Sequence, residues 1–302
     1  MRRSAAQEPG ELAPWVLCVL VILSCLTGCQ PSQETAYFGP TISLDELTSK
    51  INANNSQIPT LWARQDFQGT LMDDKHQPHG VSAHGVLLYC APHDLRIVAN
   101  DDFGGLLFEL GANAEVYWLK VVPQMDTLWW GRMRNAEKPA AVSIPVRPDL
   151  IADVLAISTL DANFIHEPYT VMHFDNNGDA YVVDSLQRQR DRLLLRKEIW
   201  YDRATLHPVK VQLYDESGRM DLKAQLSDFE PLPTDSADKT SWPLLPTRYD
   251  LFFPDSGSTM QFTLRQQALG KSGIPHAGSI QLPNLSKPGV RNVIQVDRDQ
   301  AN

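Results

Sequence analysis

The residues with the clearest chemical meaning lie near the start of the chain, where Leu-Thr-Gly directly precedes Cys29. This spacing is typical of bacterial lipoprotein precursors, which are cut before the cysteine and alkylated on its thiol with a diacylglycerol. The almost entirely apolar run 15–25 is too short for a helix that must cross about 30 Å of hydrocarbon. We therefore predict that residues 1–28 are a signal peptide and that Cys29 is lipidated, the alternative being an N-terminal transmembrane anchor.

A lipidated Cys29 would attach the mature chain to a membrane without crossing it, because two acyl chains anchor a protein stably. Residues 29–41 read as a tether, since they contain two prolines and a glycine and show no apolar period. Gln30 follows the cysteine, at a position where an aspartate commonly retains lipoproteins in the inner membrane. We therefore expect the mature protein to be anchored at the periplasmic face of the outer membrane.

Two polar segments have compositions that could bind metal ions. His76, His79 and His84 cluster loosely in a polar loop and at the start of a strand. The run 175–179 is calcium-like in composition, but its glycine is misplaced and no bidentate glutamate follows at the required spacing. We predict a solvated loop for the first segment, a hairpin turn for the second and no metal site.

The remaining reactive side chains do not assemble a catalytic pattern. His166 and Glu167 could transfer protons, but no nucleophile stands beside them. Cys90 lies in an apolar run and is expected to be a buried thiol. Nucleophile elbows, phosphate loops and dinucleotide fingerprints are absent from the sequence. We predict that the protein is not an enzyme and needs no cofactor.

The charge and cysteine content narrow the function further. The net charge of −9 argues against nucleic acid, whose binding requires clustered lysine and arginine. Cys18 and Cys25 would leave with the signal peptide and Cys29 would be alkylated, so Cys90 has no partner for a disulfide. The fold must therefore be held by its core.

Two short helices are predicted in the mature chain. Ser43 and Glu46 have the spacing of a capping box, and an apolar stripe follows as far as residues 54–55. Residues 148–157 begin with proline, which suits a first helical turn, and carry a second apolar stripe. Each helix has one apolar face and needs a surface to cover.

Most of the chain alternates apolar and polar residues, which is typical of antiparallel strands with one buried face. The alternation occurs in segments 61–71, 95–100, 192–201, 209–214, 220–227, 248–253 and 259–265. We predict a mainly β (α+β) fold, a curled incomplete barrel of roughly ten or eleven antiparallel strands whose concave apolar face is covered by the short helices.

The two helices offer less apolar cover than the concave face requires, which suggests a hydrophobic cavity that a ligand completes. A fully packed core, or two sheets packed face to face, is the alternative. The inward or outward direction of Trp118, Trp129 and Trp130 stays open. The predicted lipid-cavity residues are Leu61, Phe67, Leu88, Leu95, Ile97, Leu106, Phe108, Trp118, Leu195, Val211, Leu222, Leu251 and Phe262.

Residues 85–96, from Gly85 through Pro92, resemble the strand–Pro–strand signature of the LolA/LolB lipoprotein-carrier family. Residues 112–129 are similar to the next hairpin of that family. The resemblance covers residues 42–270 and implies an incomplete barrel with helices at its mouth that binds acyl chains. Residues 271–302 are an extra extension, expected to be partly irregular.

These patterns together predict a membrane-anchored lipoprotein that binds a lipid, an acyl chain or a lipoprotein as carrier or receptor. The alternative is a structural or assembly lipoprotein of the envelope, with a packed core and a protein partner.

Overall fold

The computed structural model describes residues 39–72, 76–123, 125–136, 144–175, 177, 179–269 and 278–297. The predicted signal peptide, the lipidation site Cys29 and most of the predicted tether lie outside these residues. Within the described part of the chain, none of the helices has the length and apolar character needed to traverse a bilayer.

The described residues contain two α-helices and fourteen strands. The helices are α1 (Leu44–Asn55) and α2 (Pro148–Val154). The strands are β1 (Thr60–Met72), β2 (Pro78–Cys90), β3 (Asp94–Asn100), β4 (Leu106–Ala112), β5 (Val116–Val121), β6 (Thr127–Arg132), β7 (Tyr169–Asp175), β8 (Ala180–Gln189), β9 (Arg192–Asp202), β10 (Pro208–Tyr214), β11 (Met220–Pro231), β12 (Leu244–Phe253), β13 (Ser258–Ala268) and β14 (Asn292–Gln295).

All these strands belong to one sheet, in the order β14-β6-β5-β4-β3-β2-β1-β13-β12-β11-β10-β9-β8-β7. Every pairing is antiparallel except that of β14 with β6, which is parallel. Since β14 and β7 are its two edges, the sheet is open. The predicted architecture, an open and mainly antiparallel sheet with two short covering helices, is confirmed.

The sheet has more strands than the roughly ten or eleven predicted, because β7 and β8 were missed and β14 lies in the C-terminal extension. In β8, Tyr181 and Val183 belong to the main core, while Ala180 and Val182 pack beneath Trp200 on the other face. A strand buried on both faces shows a continuous apolar run instead of alternation. The second half of β8 is polar, which makes the strand still harder to recognise from its sequence.

Helix α1 begins and ends as its sequence predicts. The Ser43 hydroxyl accepts a hydrogen bond from the Glu46 amide at 3.2 Å, which satisfies one free donor of the first turn. Leu47 and Ile51 then lie buried against the sheet. The face of the sheet that they cover is called the inner face below.

Asparagines at the end of α1 fix the position of the helix. Asn52 accepts from the Leu160 amide at 2.7 Å and donates to the Leu160 carbonyl at 2.8 Å. Asn54 binds the backbone of Leu244 in the same two ways. The helix is thereby hydrogen-bonded both to the loop after α2 and to the start of β12.

Helix α2 ends at Val154, three residues before its predicted end. Ala156 has a φ of 54°, in the left-handed region where a right-handed helix cannot continue. The helix packs on β3, β4 and β5, and its Asp153 also lies 2.7 Å from Lys197 of β9.

The segment 278–297 covers the outer face of the first half of the sheet. Trp118 and Leu128, both 0% exposed, form a separate cluster beneath Ile280. The Arg96 guanidinium donates to the Ser279 carbonyl at 2.9 Å, which holds the segment to β3. The extension expected to be partly irregular therefore contributes both the strand β14 and an outer covering layer.

Candidate functional site

The inner face is filled by the protein's own side chains. Most of the predicted cavity residues belong to a single core cluster, and each is 4% exposed or less: Leu61, Phe67, Leu95, Ile97, Phe108, Val211, Leu222, Leu251 and Phe262. These side chains pack on one another, and that they line a cavity completed by a ligand stays a prediction.

Leu88 and Trp118 lie on the outer face instead. Both pack in the cluster covered by Ile280, whereas their neighbours Leu87 and Tyr117 belong to the inner core. Strands that are apolar on both faces carry no alternation that fixes which side is inner. Trp129 belongs to the inner core and Trp130 packs against the outer cluster.

Leu106 and Leu195 are half-buried and lie outside the core cluster because of register shifts. In β4, Ala99 opposes Phe108 while Asn100 opposes Leu106, so Leu107 is an extra residue. A slip of one residue moves the following side chains to the other face. The same kind of shift follows Leu195 in β9, where Arg196 is the extra residue.

An open space of about 1500 Å³ borders the inner face at one end of the sheet. It lies among α2, strands β8 and β9, and the turns that follow β2, β10 and β12. We call it the mouth cleft. The half-buried apolar side chains of Met133, Ile144 and Leu150 line part of it, and charged side chains line much of the remainder.

Two ion pairs stabilise the walls of the mouth cleft. The Arg147 guanidinium donates to the Asp149 carboxylate at 2.9 Å and to the Ala136 carbonyl at 2.7 Å. The Lys197 ammonium lies 2.7 Å from the Asp153 carboxylate. Burial alone would raise the pKa of Asp153, but the lysine charge outweighs it and the pKa is lowered. Arg147 thereby connects the start of α2 to Ala136, and Lys197 connects β9 to α2.

Asp215, in the turn after β10, should make the rim of the cleft sensitive to acid. Partial burial would raise its pKa, but hydrogen bonds from Ser217 and Arg219 lower it from 3.8 to about 2. Since the folded pKa lies below the unfolded value, ionised Asp215 stabilises the turn above pH 3.8, and this stability is lost as the pH falls through about 2. The amide resonances of Ser217 and Arg219 should therefore titrate with a midpoint near 2.

The Asp215→Asn variant provides the control, because its amide resonances should show no such transition. A wild-type midpoint near the ordinary aspartate value of 3.8 would contradict the assignment of these hydrogen bonds.

The other candidates from the sequence do not assemble into a site. Among the described residues no group of histidine, cysteine, aspartate or glutamate side chains could hold a metal ion. Asp175 opposes Ala180 across the predicted hairpin. His166 and Glu167 are exposed, and Glu167 lies at the rim of the mouth cleft.

Sequence reasoning missed most of the mouth cleft. Its walls are turns and strand ends whose polar residues look like ordinary solvated loops. The sequence feature nearest to the cleft that was recognised is Pro148, the first residue of α2.

No family model and no curated protein matches the chain. Among solved structures, the chain is similar to a LolA superfamily protein from Nitrosomonas europaea (12% identity, 76% of this chain and 95% of that chain, TM-score 0.45). It is also similar to a putative outer membrane lipoprotein-sorting protein domain from Vibrio parahaemolyticus (13%, 76% and 92%, TM-score 0.46). A DUF1329 family protein from Desulfovibrio piger is similar over 78% of this chain and 97% of that chain (14% identity, TM-score 0.48). A LolA superfamily protein is thus among the solved structures to which this chain is similar.

Proposed function

We propose that the protein is a lipid-anchored envelope protein that binds an amphiphilic ligand in the mouth cleft and catalyses no reaction. The observation that carries this proposal is the cleft itself, about 1500 Å³ in volume, where apolar side chains lie beside charged ones. Lipidated Cys29 would hold the cleft close to a membrane, the source of such ligands.

The geometry supports an amphiphile better than a bare hydrocarbon. Met133, Ile144 and Leu150 are half-buried and offer apolar contact, worth about 25 cal/mol per Å² removed from water. The inner core beside the cleft is already filled, so a long chain would enter further only if α2 moved. This helix has seven residues and packs on the first half of the sheet.

A fluorescent fatty acid tests the proposal. The full chain with Cys29→Ala, which cannot be lipidated at that position, is expected to bind the probe saturably. Leu150→Glu should weaken binding about tenfold, since it replaces roughly 1.4 kcal/mol of apolar contact with a charge. Titration of the probe's fluorescence measures both affinities.

Leu193→Glu is the matched control, because Leu193 is 58% exposed and does not line the cleft. This variant should bind the probe with the same affinity as the parent chain. Absence of saturable binding by the parent chain would refute the proposal.

The filled inner face favours a second candidate, an assembly lipoprotein whose sheet packs on itself and whose outer surface binds an envelope protein. In that case cross-linking in cells would recover a stoichiometric partner, and the purified chain would bind no amphiphile.

A further inference from the structure

Two strands that border the mouth cleft each contain one extra residue, and both extra residues are charged. In β9, Lys197 opposes Ser185 and Leu195 opposes Leu186, which leaves Arg196 without an opposing residue. Such a bulge interrupts the alternation of the strand and turns a side chain in a new direction. Arg196 lines the mouth cleft.

The second bulge lies in β11. Leu222 opposes Leu213 and Met220 opposes Tyr214, so Asp221 is the extra residue. Asp221 also lines the mouth cleft. Since β9 and β11 flank β10, the two bulges are two strand spacings apart, roughly 10 Å.

Neither charged group is satisfied within the part of the chain that the structure describes. The Nη1 atom of Arg196 is buried and has no hydrogen-bond partner there. No described donor contacts the half-buried Asp221 carboxylate, and burial raises its pKa although Arg147 and Arg196 act in the opposite direction. A buried polar atom without a partner is unfavourable, so the Nη1 atom of Arg196 would gain from a ligand that accepts its hydrogen bond.

Several other charged side chains of the cleft already have ionic partners. Arg147 is bound by Asp149, Lys197 by Asp153 and Arg219 by Asp215. Arg196 and Asp221 are two opposite charges, each placed by a bulge, that a ligand in this cleft could satisfy.

We propose that Arg196 and Asp221 together bind a zwitterionic headgroup, with Arg196 on a phosphate and Asp221 on a primary amine. This inference rests on the proposed function, because it names the polar end of the same ligand. A guanidinium binds phosphate oxygens through two parallel hydrogen bonds, and a carboxylate accepts from an ammonium. A purely anionic headgroup would place its charge beside Asp221, and a purely cationic one beside Arg196.

Three ligands separate the possibilities in titrations of the full chain with Cys29→Ala. They are a short-chain phosphatidylethanolamine, a phosphatidylglycerol with the same acyl chains, and free O-phosphoethanolamine. We expect the ethanolamine lipid to bind about tenfold more tightly than the glycerol lipid, as one charge-assisted hydrogen bond would produce.

The two variants should act differently on the two lipids. Arg196→Gln should weaken both lipids about tenfold, since each has a phosphate. Asp221→Asn should weaken only the ethanolamine lipid, by about tenfold. Arg192→Gln, on the same strand but exposed, is the matched control and should change neither affinity. Unchanged thermal unfolding of each variant would show that the fold is intact.

The outcomes are distinguishable. Equal binding of the two lipids, unaltered by either variant, would overturn the headgroup site and leave amphiphile binding in place. No binding of any lipid by the parent would overturn both proposals. Free O-phosphoethanolamine bound as tightly as the lipid would support the headgroup site and identify a soluble phosphoester as its ligand.

Discussion

Replacement of Phe262 with alanine is expected to lower the free energy of unfolding by about 3–5 kcal/mol, the range for deletion of a large aromatic side chain from a packed core. Phe262 is 1% exposed, and its ring stacks on that of Tyr249 with 4.5 Å between the centroids. It also opposes Phe67 in the register of β13 with β1. Urea denaturation followed by circular dichroism measures the change.

Phe252→Ala provides the control for this experiment. Phe252 lies on the neighbouring strand but is 42% exposed, so its removal should cost under about 1 kcal/mol. If Phe262→Ala cost as little as the control, the inner face would not be tightly packed, and an apolar ligand could again be sought there.

Removal of the Trp118 side chain should cost a similar amount, about 3–5 kcal/mol, and should also loosen the C-terminal segment. Trp118 is fully buried beneath Ile280, and its indole N–H lies 3.4 Å from the carboxylate of Glu109. Without the indole, residues 278–297 lose the surface on which they pack. Hydrogen exchange should therefore accelerate in β14 more than in β12.

Trp242→Ala is the matched control, because Trp242 is half-buried in a short turn far along the chain and bonds the Ser236 carbonyl. It should leave exchange in β14 unchanged. Equal exchange in β14 for wild type and Trp118→Ala would show that the segment is held by its backbone pairing alone.

The sequence predicted the kind of sheet because alternation along a strand reports directly on one buried face. It could not predict the positions at which the alternation shifts by one residue, because no particular residue type marks a bulge. Leu106 and Leu195, two of the predicted cavity residues, lie next to such bulges. The charged bulge residues Arg196 and Asp221 lie in predicted alternating segments, where a charged residue indicates only a solvent-exposed face.

The sequence argument for an apolar hollow counted only the helices as cover of the inner face. Connecting segments also fill the inner face: Ile58 after α1, Val146 and Ile157 beside α2, and Leu232 after β11 are all buried in the core cluster. Loop residues show no period that marks them as core, so composition alone underestimates how much of the sheet they shield.

The pairing of β1 with β13 has a consequence for how the protein reaches its native state. Phe67 opposes Phe262, so this pair joins positions 195 residues apart in the chain (262 minus 67). Contacts between such distant positions form slowly, because the entropy of closing the long loop must be overcome first. During synthesis, the β1 edge of the first six strands therefore stays unpaired until β13, near the end of the chain, has been made. The unpaired β1 edge is open to pairing with other chains during that interval, so dilution at low temperature should favour refolding over aggregation.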